Sequence, residues 1–159
     1  NKREPWHYPA IAPIIKKWWK LRYTLIPYII AQSRKAISSG APLLQALIFH
    51  HPEDKLCWHI DDEYYFGNDF LVAPVMNSEN RRDVYLPEGQ WVNFFTGEVL
   101  EGGRWLKDLD VPLDEMPVYV RQGATIPVYP DEVECTDEMD LSKSVELHID
   151  NHFKGIFKD

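Results

Sequence analysis

Within residues 62–75 (DEYYFGNDFLVAPV) the hydrophobic rhythm of the chain changes, and this change limits the folds open to it. Upstream, apolar residues recur every three or four positions, the period of a helix. Downstream, short runs of aliphatic and aromatic residues are broken by glycine and proline every 8–12 residues, the pattern of an antiparallel sandwich. Charge divides at the same place. Residues 1–60 carry nine Lys/Arg against three Asp/Glu, and residues 61–159 carry eight against twenty-two, so a net −8 is the sum of +6 and −14. The basic residues lie along one helical stretch without the glycine and aromatic patterning of an RNA or single-strand binder, which argues against a nucleic-acid partner.

Prolines 5, 9 and 13 make the opening a loop. Ile14, Trp18, Leu21, Leu25, Tyr28, Ile29 and Ala36 then predict an amphipathic helix over 14–39, with Lys16, Lys17, Lys20, Arg34 and Lys35 between them. Pro27 is expected to kink it and Gly40 to end it. Residues 43–49 (LLQALIF) form an apolar run bounded by Pro42 and Pro52, as in a strand covered on both faces. Asp61 or Asp62 is placed to cap a short helix over 63–65 ended by Gly67, and 70–75 reads as a strand. Further strands are expected at 83–86, 90–95, 104–109, 118–121, 125–129 and 145–149, with a surface loop at 131–143. With 45% hydrophobic and 13% aromatic residues, such a chain can fill a core.

Several residue groups invite a functional reading. His50, His51, Glu53, Asp54, Cys57, His59, Asp61 and Asp62 gather potential metal ligands in one loop, but adjacent histidines in an extended segment point to opposite sides and the spacing is not that of a zinc site. Asp61, Asp62 and Glu63, or Asp137, Glu138 and Asp140, are carboxylates close in sequence. Glycoside chemistry needs two carboxyls across a sugar, ~5–9.5 Å apart, so capping is the plainer role for the first group and a solvated loop for the second. Trp91, Phe94, Phe95, Trp105 and Tyr119 make either a sugar-stacking platform or a core. Cys57 and Cys135 have no CxxC spacing and read as free thiols. No phosphate-binding loop, dinucleotide glycine pattern or Gly-x-Ser-x-Gly elbow is present.

Taken in order, Arg3-Glu4-Pro5-Trp6, Leu21-Arg22-Tyr23, Leu25-Ile26-Pro27-Tyr28, Gly40-Ala41-Pro42, Asp62-Glu63-Tyr64-Tyr65, residues 67–75, Tyr85-Leu86-Pro87-Glu88-Gly89, Trp91, Phe95, Thr96-Gly97 and residues 118–127 (VYVRQGATIP) resemble glycoside hydrolase family 31. This is the family of retaining α-glucosidases and α-xylosidases. The resemblance implies an α+β fragment. Residues 1–69 would hold the last helix–strand–helix of a (β/α)8 catalytic barrel, with its eighth strand at 43–49 and its eighth helix near 62–68. Residues 70–159 would be the proximal C-terminal β-sandwich, whose tail at 131–159 looks closer to the bacterial α-xylosidase-like members.

The family's nucleophile sits in a W-x-D-M-x-E-like motif, and its acid/base Asp and substrate-binding Arg and His follow; none of these motifs occurs here. Thr136-Asp137-Glu138-Met139-Asp140 resembles the first in letters alone. Accordingly no catalytic, substrate-binding or metal residue is assigned, and no cofactor is expected. The partners implied are the rest of the barrel and, through it, an oligosaccharide; the 159 residues alone are expected to be inactive and to self-associate through uncovered faces. The alternative is a self-sufficient β-sandwich acting as a carbohydrate-binding or assembly module. With no visible signal peptide and no apolar run near the ~20 residues of a membrane span, the parent is expected in the cytoplasm and not in a membrane.

Overall fold

The structure, a computed structural model, describes Glu4 and residues 7–156. Arg3, Pro5 and Trp6, where the family resemblance begins, lie outside the described residues. Two compact units are formed, residues 1–31 with 126–147, and residues 32–125 with 148–159. Among the described residues no helix is long and apolar enough to cross a membrane.

In the first unit, α1 (Ala12–Thr24) starts with Pro13 in its first turn, where a missing N–H costs no helical bond. The single helix expected over 14–39 is interrupted at Leu25, and α2 (Ile26–Ser39) follows. Pro27 has no donor for the carbonyl of Tyr23, so the hydrogen-bond ladder breaks one turn before it. Leu21, Leu25 and Tyr28 are buried here with Ile126, Val128 and Tyr129, and the Tyr129 N–H donates to Thr24 O at 2.8 Å. Strands β9 (Thr125–Val128) and β10 (Val145–His148) pair with each other. The expected surface loop at 131–143 contains two short 3-10 turns, Thr136–Glu138 and Leu141–Lys143.

The second unit begins within α2, whose end at Gly40 carries the expected left-handed residue. Its main sheet has six strands: β1 (Leu44–Ala46), β2 (Tyr64–Phe66), β3 (Phe70–Val72), β5 (Gln90–Asn93), β6 (Val99–Glu101) and β8 (Val118–Arg121). They are ordered β1-β2-β3-β8-β5-β6, and every neighbouring pair is antiparallel. The remaining strands, β4 (Arg81–Leu86) and β7 (Arg104–Asp110), form a ribbon of their own. Tyr65, Leu71, Trp91 and Tyr119 of the sheet meet Val84, Tyr85 and Leu86 of the ribbon in one buried cluster with Leu47 and Cys57. That is sandwich-like layering. The central strand β3 is buried at all three residues, because the opposite face of the sheet is also covered: Phe70 packs edge-on against Phe94, which stacks on Phe153 at 6.0 Å.

Two expectations need correction. Residues 43–49 are not a strand covered on both faces. Only Leu44–Ala46 is extended, it pairs antiparallel with β2, and Leu47–Phe49 coil into a 3-10 turn. Leu44 and Phe49 are 57% and 62% exposed, and the buried residue of β1 is Gln45, whose amide donates to Pro42 O at 2.7 Å. The expected helix over 63–65 is the strand β2. Three aromatic residues suit a strand paired on both edges, and Gly67 (φ 65°) opens the three-residue turn Gly67-Asn68-Asp69 of the β2–β3 hairpin instead of closing a helix. The sheet therefore draws strands from both sides of residue 69.

Candidate functional site

The loop between β1 and β2 was the densest collection of polar groups in the sequence, and the fold divides it into a half-buried cluster and a buried one. Asp54 begins one of them. Its carboxylate caps the 3-10 turn Lys55–Trp58 through the Leu56 N–H at 3.0 Å and accepts the Tyr85 hydroxyl at 2.5 Å. Burial works to raise its pKa, but these hydrogen bonds outweigh that effect and hold the carboxyl below its usual range. Cys57, buried behind it, is pushed up to about 12 by burial and by the Asp54 charge, so it stays a thiol.

His50 and His51 lie beside Tyr65, with ring centroids 4.1 and 5.9 Å from the tyrosine ring. The Tyr65 hydroxyl is 2.7 Å from His51 Nε2 and accepts from Arg121 Nη2 at 3.0 Å. The Arg121 guanidinium lies over both the Tyr65 and Trp91 rings, at 5.1 and 5.4 Å, a placement set by the Trp91↔Arg121 register of β5 and β8. Burial, then the charge of Arg121, holds both histidines below their ordinary range, His50 at about 4.

Arg82 and Glu63 form the second cluster. Glu63 is buried; its Oε1 accepts the Tyr85 N–H at 2.7 Å and faces Arg82 Nη2 at 3.4 Å. Burial raises its pKa to about 7, against the opposing pull of that N–H and of Arg82.

The other sequence candidates take supporting or separate places. Asp61 and Asp62 cap no helix, since β2 takes its place; Asp62 bonds Arg82 at 3.1 Å. Asp137 and Glu138 are exposed, with Glu138 and Asp140 accepting backbone N–H groups of Glu134 and Ser142. Of the aromatics, Trp91, Phe94 and Tyr119 belong to the core, and the Trp91 indole N–H is spent on Pro87 O at 2.8 Å. Phe95 and Trp105 are partly covered, Trp105 by Tyr85 and Lys107. Cys57 is buried and Cys135 exposed, both free. Among the described residues no group of three or more His, Cys, Asp or Glu is placed to hold a metal ion.

Arg82 and Arg121 were not singled out from the sequence, yet each organises a cluster. A signal existed for both. Arg82 shares the strand period of the buried Val84 and Leu86, and Arg121 that of the buried Tyr119. An arginine in phase with core residues is a buried or half-buried cation that must be matched by acceptors or aromatic faces.

Glu63 is closed to solvent, whereas His51, Asp54 and Tyr85 line an open cavity of about 860 Å3 together with Glu53, Glu88 and Glu101, and comparison with known proteins bears on what these clusters belong to. A model of the glycosyl hydrolase family 31 C-terminal domain matches residues 40–126. The chain belongs to glycoside hydrolase family 31. Alpha-glucosidase 2 of Bacillus thermoamyloliquefaciens is 34% identical over 99% of this chain and 20% of its own length. An alpha-xylosidase of Saccharolobus solfataricus is 37% identical over 86% of this chain and 19% of its own. In structure, the family 31 dextranase of Flavobacterium johnsoniae, solved with isomaltotriose, superposes with a TM-score of 0.81 at 35% identity, over 87% of this chain and 17% of that one. The chain thus spans about a fifth of the length of the curated relatives it matches. The span matched by the family 31 domain takes in all six strands of the main sheet, the β4–β7 ribbon and every residue of the two clusters.

Proposed function

We propose that this chain is the C-terminal supporting part of a retaining α-glycosidase acting on α-glucosides or α-xylosides, and that the reacting carboxylates stand on a barrel it braces. The observation that carries this reading is the near full-length likeness to one fifth of an α-glucosidase. The use made of the polar groups agrees with it: Asp54 is a cap, Glu63 is sealed in the core, and the histidines are packed on Tyr65.

On this reading the helical stretch ending at Ser39 is the last part of the barrel, and the rest of that barrel is the partner of this chain, with the oligosaccharide bound there. The division first drawn at residue 69 moves earlier: the family 31 domain match starts at residue 40 and the sheet at Leu44, and both favour a boundary at Gly40. The carbohydrate-binding alternative asks for aromatic rings flat on a solvent-facing sheet, and Trp91 at 1% exposure counts against it.

An aryl α-glucoside and an aryl α-xyloside offered to the purified 159-residue chain test the proposal. No release of the aryl group above buffer is expected from the chain alone, and turnover is expected when these residues are joined to the barrel. Turnover by the isolated chain would refute it.

A further inference from the structure

Arg82 sits between two carboxylates of unequal exposure, and this inequality has a consequence. Each nitrogen of its guanidinium meets an acceptor. Nε donates to Asp83 O at 2.9 Å, Nη1 to Asp62 O at 3.2 Å and to Pro74 O, and Nη2 to Glu63 Oε1 at 3.4 Å, while Asp62 Oδ2 stands 3.1 Å from the same Nη2 as an ion-pair partner. One nitrogen is therefore shared by two carboxyls. The Asp62 side chain is 57% exposed and the Glu63 side chain 0%. Glu63 Oε2 is moreover a buried oxygen with no hydrogen-bond partner.

A single cation cannot neutralise two carboxylates, and of the pair the dry one carries the larger penalty for its charge. Glu63 is then the member of the pair that holds a proton the more readily. Its raised pKa, about 7 through burial, agrees with the geometry. Among the described residues Arg82 is the one cation that acts on it. The groups that face it are Cys57 from the 3-10 turn, Tyr65 from β2 and Tyr119 from β8, all of them neutral at these pH values, with Asp62 on its own segment and Arg82 and the Tyr85 N–H from β4.

We infer that Asp62 and Glu63 compete for Arg82, so that proton loss from Glu63 draws the guanidinium inward, frees the Asp62 carboxylate and loosens the Asp61-Asp62 segment from β4 of the ribbon, where the Asp62 carbonyl remains its tether. Asp62 can exchange its ion pair for water at little cost, because exposed pairs are worth little. Glu63 has no water to turn to. The segment is latched on the acid side of neutrality and loosened on the alkaline side.

The test uses the full 159-residue chain with carbon-13 in the Asp and Glu carboxyls and nitrogen-15 in the backbone. Between pH 5.5 and 8.5 the Glu63 carboxyl carbon should titrate with a midpoint near 7. In step with it, the backbone order parameters of Asp61 and Asp62 should fall from the rigid value of about 0.85 towards 0.6. Glu63→Gln should hold the segment rigid across the range. Asp62→Asn, an exposed change that leaves the core intact, removes the competitor and should lower the Glu63 midpoint by about half a pH unit or more, the worth of a half-exposed ion pair. A Glu63 carboxyl already ionised at pH 5.5, a segment equally ordered at both ends of the range, or a midpoint indifferent to Asp62→Asn would each overturn the latch.

Discussion

His50, in the loop between β1 and β2, and Tyr65, on β2 beside it, each support a prediction. His50 Nε2 is a buried nitrogen without a hydrogen-bond partner, and the ring has Arg121 as a neighbour, so the folded protein resists its protonation until about pH 4, against 6.5 for a free histidine. Between those values the unfolded chain binds a proton that the folded chain does not, and stability falls as pH falls. His50→Phe keeps a ring on Tyr65 and removes the titration. The difference in urea-unfolding free energy between wild type and variant should therefore change by about 1 kcal/mol from pH 7 to pH 5, a value already reduced for half-exposure. Parallel curves would mean that His50 is protonated in the fold. Tyr65→Phe acts differently. It deletes the hydroxyl shared by His51 and Arg121 and leaves His51 Nε2 with only its 3.5 Å contact to Arg121 Nη2, at a cost of about 1 kcal/mol near neutral pH. A loss below 0.5 kcal/mol in urea titrations would show that water replaces the hydroxyl.

At the scale of elements, the turn after β4 and the turn before β7 are bound backbone to backbone. The Gly102 N–H donates to Gly89 O at 2.7 Å and the Gly103 N–H to Leu86 O at 2.8 Å. A Cβ on Gly102 would run into the Pro87 carbonyl oxygen, which is backbone and cannot swing away. Gly102→Ala should destabilise by about 2–3 kcal/mol, as overpacking does, with the midpoint of thermal unfolding dropping accordingly; an unchanged midpoint would mean that the two turns separate freely. These turns were legible in the sequence as Pro87-Glu88-Gly89 and Gly102-Gly103, because turn chemistry is local. The strands beside them were legible too, as short runs of aliphatic and aromatic residues such as Val84-Tyr85-Leu86 between turn signals. Residues 43–49 were misread because an unbroken apolar run has no period, and which of its side chains is covered depends on neighbours far away in sequence. Residues 63–65 were misread because Asp61 or Asp62 and Gly67 suit the two ends of a helix as well as they suit a hairpin. Only the pairing with β1 and β3 decides between them, and pairing is not a local property. The two clusters were legible by halves: the loop that supplies His50, His51, Asp54 and Glu63 stood out by composition, whereas Arg82 and Arg121 required the strand register.

For the molecule as a whole, the second unit leaves large apolar side chains in water. Ile37 is 87% exposed, Phe49 62%, Trp58 61% and Leu44 57%. The indole N–H of Trp58 is already bonded to Pro52 O at 2.9 Å, so the ring is held in place with much of its surface bare. In the intact glycosidase proposed above, the remainder of the barrel would cover these residues. In the isolated chain water is the alternative to self-contact, and at ~25 cal/mol per Å2 of apolar surface removed the pairing of such patches competes with the entropy lost on association. Light scattering at tens of micromolar should therefore give a mass above the monomer's 18.7 kDa. The double change Phe49→Ser and Trp58→Ser should return it to the monomer value while moving the unfolding free energy by less than about 1 kcal/mol, because side chains this exposed contribute little to the core. A wild-type chain that scatters as a monomer would show that these residues do not drive association, and a variant that still associates would place the contact elsewhere on the chain.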